Sequence, residues 1–301
     1  MAEGAELRQR FAAELARLGL AARSAQLEQL VRPAIRISST FTQNPDFPVG
    51  SSKLGGLPDF PLGVQWPVYK DRPLALMAQL NMAEVAPHDV ARVLPNSGML
   101  YFFYDMVDQP WGYDPANRDA WRVIYCAEGR SALTSTSLPH PAPNWYPLPV
   151  CRVEFCAELS LPACDSEDVR ALALNEEEPD CYGRLVGDCT VGDLLGFPPE
   201  LDGVHRLLGY PAELQGDIRW EAQLASNGIY LGNGLMDTNE PRIRKLLPGI
   251  ADWQVLFQMD DDNDGGAGWF GGAGGKLYYS IRRDHLQVRN FDHVWVSFQW
   301  Q

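Results

Sequence analysis

The sequence predicts an α+β fold: an N-terminal helical segment, then a tandem duplication of two related, mostly antiparallel sheet units. Three observations predict it. Leu7, Phe11, Leu15 and Leu18 recur at helical spacing among Ala, Glu, Arg and Gln. From residue 34 the chain changes to short alternating runs parted by Gly- and Pro-rich loops. Blocks of sequence then return in the same order later in the chain.

Residues 1–33 are expected to form two helices, the first ended by Gly19 and the second capped by Ser24 and stopped before Pro33. "AIRISST" (34–40) alternates like a strand and opens the first sheet unit, 34–160. An acidic, more helical connection follows over 161–206. The second sheet unit runs over 207–301 with a helical insertion, all within one domain.

The repeats define the two units. "GGLPDFPLG" places Gly56, Pro58 and Gly63 at the same offset of 153 positions from Gly209, Pro211 and Gly216 in "LGYPAELQG". A tryptophan follows each, Trp66 and Trp220. "LALMAQLNM" then resembles "WQVLFQMDD", with Gln79 answering Gln258. "SGMLYFFYD" matches "GGKLYYSIR", pairing Gly98, Leu100 and Tyr101 with Gly275, Leu277 and Tyr278. Finally "WRVIYCAE" matches "VWVSFQWQ". The offset grows by about 25 where "EAQLASNGIYLGNGLMDTNEPRIRKLLPG" is inserted. Residues 54–128 and 207–300 are therefore expected to superpose once that insertion is removed.

The chain resembles the YwqG-like bacterial proteins of unassigned function. "SKLGGLPDFPLGVQWP" (52–67), "LALMAQLNMAEV" (74–85), "GMLYFFYD" (98–105) and "WRVIYC" (121–126) carry the likeness, with "LFQMDDD" (256–262) and residues 275–299. The resemblance implies a duplicated α+β fold and supplies no reaction. Members of that family occur among toxin–immunity gene sets, which implies an antitoxin-like role by analogy.

Composition narrows the function classes. At 46% hydrophobic with nine tryptophans, 301 residues bury a full core. A net charge of −14 argues against nucleic-acid and anionic-membrane binding, which need positive charge, and favours a basic protein partner. No run of about 18 apolar residues is present to span a membrane. The charged start "MAEGAELRQRF" lacks the apolar core of a signal peptide, so a cytoplasmic location is expected. Cys126, Cys151, Cys156, Cys164, Cys181 and Cys189 lack the spacing of a zinc knuckle and read as reduced, mostly buried thiols.

Asp260-x-Asp262-x-Asp264-Gly265 opens like an EF-hand calcium loop, but the twelfth residue is Gly271 and the flanks are strand-like. A solvated turn is expected, with no metal. "GGAGG" (271–275) feeds a strand and lacks the Lys-Ser/Thr of a phosphate loop. No nucleophile elbow or zinc helix occurs, and His88, His140, His205, His285 and His293 are scattered. The chain is therefore read as a non-enzyme without cofactor: an immunity protein that binds a cognate toxin, with a nuclease as one candidate. The alternative is an enzyme or small-ligand binder using a cleft between the duplicated halves. The residues assigned to partner binding are Glu176, Glu177, Glu178 and Asp180 of the acidic connection, Asp260, Asp262 and Asp264 of the acidic loop, and Trp111 and Tyr113 of the turn-rich "QPWGYDP".

Overall fold

The computed structural model describes residues 2–43, 46–138, 147–164, 166–188, 205–232, 236–261, 267–270 and 274–300. The fold is α+β, built on one large antiparallel sheet. Helices α1 (Ala2–Arg17) and α2 (Ser24–Leu30) open the chain, and α1 ends two residues before Gly19. Ser24 does not cap α2: it is the first helical residue, and its hydroxyl donates back to the Ala21 carbonyl at 2.8 Å. Leu7, Phe11, Leu15 and Leu18 are buried as the periodicity requires, in a small separate core with Leu159, Leu161, Val169, Leu172 and Tyr182.

The main sheet holds ten strands. Their ranges are β1 (Arg32–Phe41), β2 (Lys53–Leu54), β6 (Ala75–Asn81), β7 (Met99–Tyr104), β8 (Trp121–Cys126), β10 (Cys151–Ser160), β11 (His205–Leu208), β12 (Trp253–Asp260), β13 (Lys276–Arg282) and β14 (Trp295–Gln299). Two small ribbons pair β3 (Asp59–Pro61) with β9 (Leu133–Ser135) and β4 (Val68–Tyr69) with β5 (Arg72–Pro73). The order across the main sheet is β14-β13-β12-β11-β1-β10-β2-β6-β7-β8. The long antiparallel pair β1–β10 thus lies at the middle, with four strands on each side. Glu158 on β10 locks that middle: it is fully buried, accepts from Arg36 Nε at 2.8 Å and pairs with Arg206 of β11. Burial alone would raise its carboxyl, but the two guanidiniums outweigh burial and hold it below the usual value.

The ends of the sheet face one another across the core. Phe102 meets Phe257 and Tyr279 at ring-centroid distances of 4.7 and 5.1 Å. Trp121 of β8 and Trp295 of β14 cross edge to face at 5.0 Å, although their strands terminate opposite ends of the sheet order. The sheet therefore curls until its two ends meet. All six residues of β7 are buried, because Tyr101 and Phe103 pack outward beneath Phe60 and Trp66 while Phe102 and Tyr104 fill the inside.

Several local features recur on the two sides. Gln79 of β6 stands opposite Tyr101, and Gln258 of β12 stands opposite Tyr278. Gln79 Oε1 accepts from Asp59 N–H at 2.7 Å, and the Tyr101 hydroxyl donates to the Asp59 carbonyl. Gln258 Oε1 accepts from Ala212 N–H at 2.8 Å, and the Tyr278 hydroxyl donates to the Ala212 carbonyl at 2.7 Å. Gly56 and Gly209 share the left-handed backbone (φ 74° and 73°) that turns each Gly/Pro loop away from the sheet. Trp66 and Trp220 do not share a position: Trp66 is buried in a loop, while Trp220 lies on a helix.

The remaining helices are short. They are α3 (Met82–Val85), α4 (Glu167–Arg170), α5 (Glu178–Gly183), α6 (Ile218–Ser226), α7 (Pro241–Leu246) and α8 (Arg283–Gln287). The stretch read from the sequence as an insertion, 221–249, holds most of α6 and all of α7, and α6 packs on β12, β13 and β14. Among the described residues no helix is long and apolar enough to cross a membrane. Cys126 and Cys151 are buried, Cys156 and Cys181 are half-buried, and Cys164 is exposed; Cys189 lies outside the described residues.

Candidate functional site

The connection after β7 leaves one half of the sheet and lands on the other. Asp105 starts it, buried and paired with Arg72 at 3.0 Å, and its carboxylate accepts from Val107 N–H at 3.2 Å. The Tyr104 hydroxyl donates to the Pro110 carbonyl at 2.8 Å. Three successive carbonyls then dock on the far half. Trp111 accepts from Phe298 N–H at 3.3 Å, Gly112 from Trp295 Nε1 at 2.9 Å, and Tyr113 from Leu231 N–H at 3.0 Å. Gly112 has φ 84°, and a Cβ there would collide with the Val296 carbonyl, so only glycine permits this approach.

The side chains on this anchored backbone divide. Tyr113 leans on the core, half-buried. The Trp111 indole is 48% exposed and meets Tyr113 edge to face at 5.8 Å. Tyr230, next in chain to the Leu231 that bonds Tyr113, is 47% exposed. A large aromatic is thus displayed in water from a rigid mount, the form that binding anchors take at protein interfaces.

Helix α6 and β14 form the ground beside this mount. Asp217 caps α6 by accepting from Arg219 N–H at 2.8 Å. Glu221 sits on the helix's buried face, 7% exposed, and its Oε1 accepts from Gln299 Nε2 at 3.2 Å. Burial pushes its carboxyl up to about 7, with Asp217 adding to the rise, while Ser297 and Gln299 oppose it. Ser297 lies against the carboxylate without closing a hydrogen bond of normal geometry, and Glu221 Oε2 completes none. Burial raises the Tyr113 hydroxyl, and the charge of Glu221 adds to the rise. Glu213 is likewise pushed up to about 7 by burial and Asp217, although it accepts from Ile218 N–H at 2.9 Å.

A cleft of about 220 Å³ lies alongside, where β8 approaches α6 and β14. Trp121 and Trp295 line it with Arg118, Arg122, Asp292 and His293. Arg122 reaches Asp119 at 3.5 Å and Asp292 at 4.0 Å. Ser226, also in the lining, turns its hydroxyl to the Gln223 carbonyl at 3.5 Å. The cleft can offer stacking and cationic hydrogen bonds to an anionic group.

The residues assigned to partner binding from the sequence are dispersed. Trp111 and Tyr113 come together as described. Glu176, Glu177 and Asp180 are exposed beside the N-terminal helices. Glu178 turns inward, paired with Arg23 at 2.9 Å and accepting from Asn175 N–H at 2.8 Å; these bonds hold its carboxyl below the usual value. Asp260 is buried at the end of β12, paired with Lys276 at 3.1 Å, and the cross-strand register Asp260–Lys276–Gln299 sets it two strands from β14. Asp262 and Asp264 lie outside the described residues. Sequence reasoning passed over Glu221, Ser280, Ser297 and Gln299. A signal existed for Glu221, which stands three after Ile218 and four before Ala225, hence on the apolar face of α6.

The chain belongs to the family described as a domain of unknown function, DUF1963, whose model matches residues 52–300. Comparison with curated proteins gives no match.

Proposed function

We propose that this protein acts by binding a basic protein partner, as an immunity protein that neutralises a cognate toxin in the cytoplasm. The observation that carries the reading is Trp111: nearly half in water, yet fixed through hydrogen bonds to three consecutive carbonyls, two from backbone N–H groups and one from the Trp295 indole. A preordered aromatic loses little entropy on association, so its burial converts efficiently into affinity. The net charge of −14 supplies long-range attraction to a cationic partner. The resemblance to YwqG-like proteins supports the same class. We propose with it that the two halves of the sheet descend from one duplicated unit, a reading supported by the matching Gln–Tyr grips on Asp59 and Ala212.

The test is co-expression with the polypeptide encoded by the adjacent gene. Wild-type protein rescues growth and co-purifies with that polypeptide, and Trp111→Ala abolishes both with an unchanged melting temperature. An adjacent gene product that neither harms growth nor binds overturns the reading. The cleft lined by Trp121 and Trp295 favours a second reading, a small-ligand binder that works at the seam. That reading requires saturable binding of a small anion that Arg122→Ala removes.

A further inference from the structure

Where helix α6 packs on β13 and β14, three buried oxygens lack hydrogen-bond partners. Glu221 Oε2, Ser280 Oγ and Ser297 Oγ each complete no hydrogen bond, and their residues are 7%, 0% and 1% exposed. The ladder places them together. Ser297 stands opposite Tyr278 and Ser280 opposite Trp295, so both serines point to one face of adjacent strands, two residues apart. Glu221 approaches that face from α6, fixed by its bond to Gln299. A buried carboxylate ordinarily recruits a cation, since an unpaired charge out of water is costly. Among the described residues no Lys, Arg or His forms an ion pair with Glu221; the nearest charges named by its environment are those of Asp217 and, through the neighbouring turn, Glu213. Burial without a cation is also why its carboxyl rises to about 7.

We infer that Glu221, Ser280 and Ser297 form a receptor for a primary ammonium group, the tip of a partner lysine that enters past Tyr113 beside the Trp111 indole. The chemistry matches in count and sign: an ammonium carries three N–H donors and no acceptor, and the three oxygens can all accept. The route runs past Tyr113, which is half-buried on the connection that docks on β14, the strand that carries Ser297 and Gln299. Trp111 and Tyr113 at the entrance suit a lysine stem, whose methylenes pack on aromatic faces while the charge continues inward. Buried water can satisfy the same oxygens in part, but it brings no charge to the carboxylate. This inference rests on the partner-binding reading and names the chemistry of the partner's side chain.

The test needs no partner. The purified full chain is titrated with n-butylammonium chloride near pH 8, where Glu221 is ionised, and followed by tryptophan fluorescence and melting temperature. Sodium chloride and tetramethylammonium chloride at equal ionic strength serve as controls. The expected result is a saturable response to butylammonium, about tenfold weaker for Ser297→Ala, since a lost hydrogen bond to a charged group weakens binding by roughly that factor. Glu221→Gln abolishes the response, while Glu177→Gln, at an exposed and distant acid, retains it. Should Glu221→Gln fold poorly, Tyr113→Ala provides a second measure by widening the entrance and speeding association. No saturable response, an equal response to tetramethylammonium, or a response that survives Glu221→Gln each overturns the receptor and indicates water alone in the site. Those outcomes leave the toxin-binding reading to the growth assay, so the two can fail separately.

Discussion

In the earlier half of the sheet, the Gly/Pro loop carries Asp59 into the interior, where its oxygens are met on every side. Lys53 Nζ lies at 3.2 Å, Gly50 N–H at 3.0 Å, Gln79 Nε2 at 2.8 Å and Ser135 Oγ at 3.0 Å. Burial would raise that carboxyl, but these groups outweigh it and hold it below its usual value. In the later half, the Gly/Pro loop gripped by Gln258 and Tyr278 carries Ala212, and the half-buried Glu213 and buried Glu221 are pushed up to about 7. Two loops held by the same kind of Gln–Tyr grip thus stand beside carboxylates shifted in opposite directions. The earlier half uses its buried acid to hold the loop, whereas in the later half Glu221 has no cation partner among the described residues.

The largest expected effect breaks the earlier side. Asp59→Ala strands Lys53 in the interior, takes the acceptor from three further donors, and should cost about 3–5 kcal/mol in chemical denaturation. Adding Lys53→Met should recover most of that loss; if the double variant stays as unstable as the single one, the ion pair is not what the loop depends on.

The next effect sharpens the contrast through pH. The folded-state value of Glu221 lies near 7, above its unfolded value near 4.5, so its contribution to stability is present below about 4.5 and is lost as pH rises through 7. Glu221→Gln should raise stability near pH 8 by about 3 kcal/mol and flatten the pH dependence between those limits. Asp59 has the opposite sign. Its contribution is present above 3.8 and fades as pH falls through its lowered folded value. An unchanged stability-versus-pH slope in the Glu221 variant would remove the contrast.

Two smaller effects test where the halves agree. Tyr101→Phe and Tyr278→Phe each delete one hydroxyl bonded to a loop carbonyl, and each should cost about 1 kcal/mol, equally on both sides. A difference well beyond that would mean the grips are not equivalent. Trp111→Ala should alter stability by less than about 0.5 kcal/mol, since the indole is half in water and its mount is backbone. Under the proposed reading its effect is expected in the binding and growth assays.

Much of this frame was legible in the sequence. The leucines of α1, the alternation in β1 and the paired blocks around Gln79 and Gln258 carry strong, local patterns. Strand β11 was hidden because four residues, His205–Leu208, give no period, and its buried His205 and Arg206 look like surface residues. Ser24 misled because a hydroxyl near a helix start can either accept from the helix or donate to the preceding turn, and composition does not say which. The site was half legible. Trp111 stood out as a large aromatic in a Pro/Gly loop. The inward turn of Glu178 towards Arg23 and the burial of Asp260 depend on contacts between distant segments, and acidic runs give no hint of them. The receptor oxygens were missed for the same reason: Ser280 and Ser297 become neighbours only through strand register.

The landing of Trp111 and Gly112 on β14 has another consequence. A terminal strand with free N–H and C=O groups is a template for a second chain, and antiparallel sheets aggregate through such edges. Here the outward N–H of Phe298 is already taken by the Trp111 carbonyl, and Gly112 closes over the Val296 carbonyl. The connection therefore acts as a molecular blocker against strand-by-strand polymerisation. Gly112→Val, which cannot keep this approach, should expose the edge and convert a well-behaved solution into one that forms β-rich oligomers on mild heating.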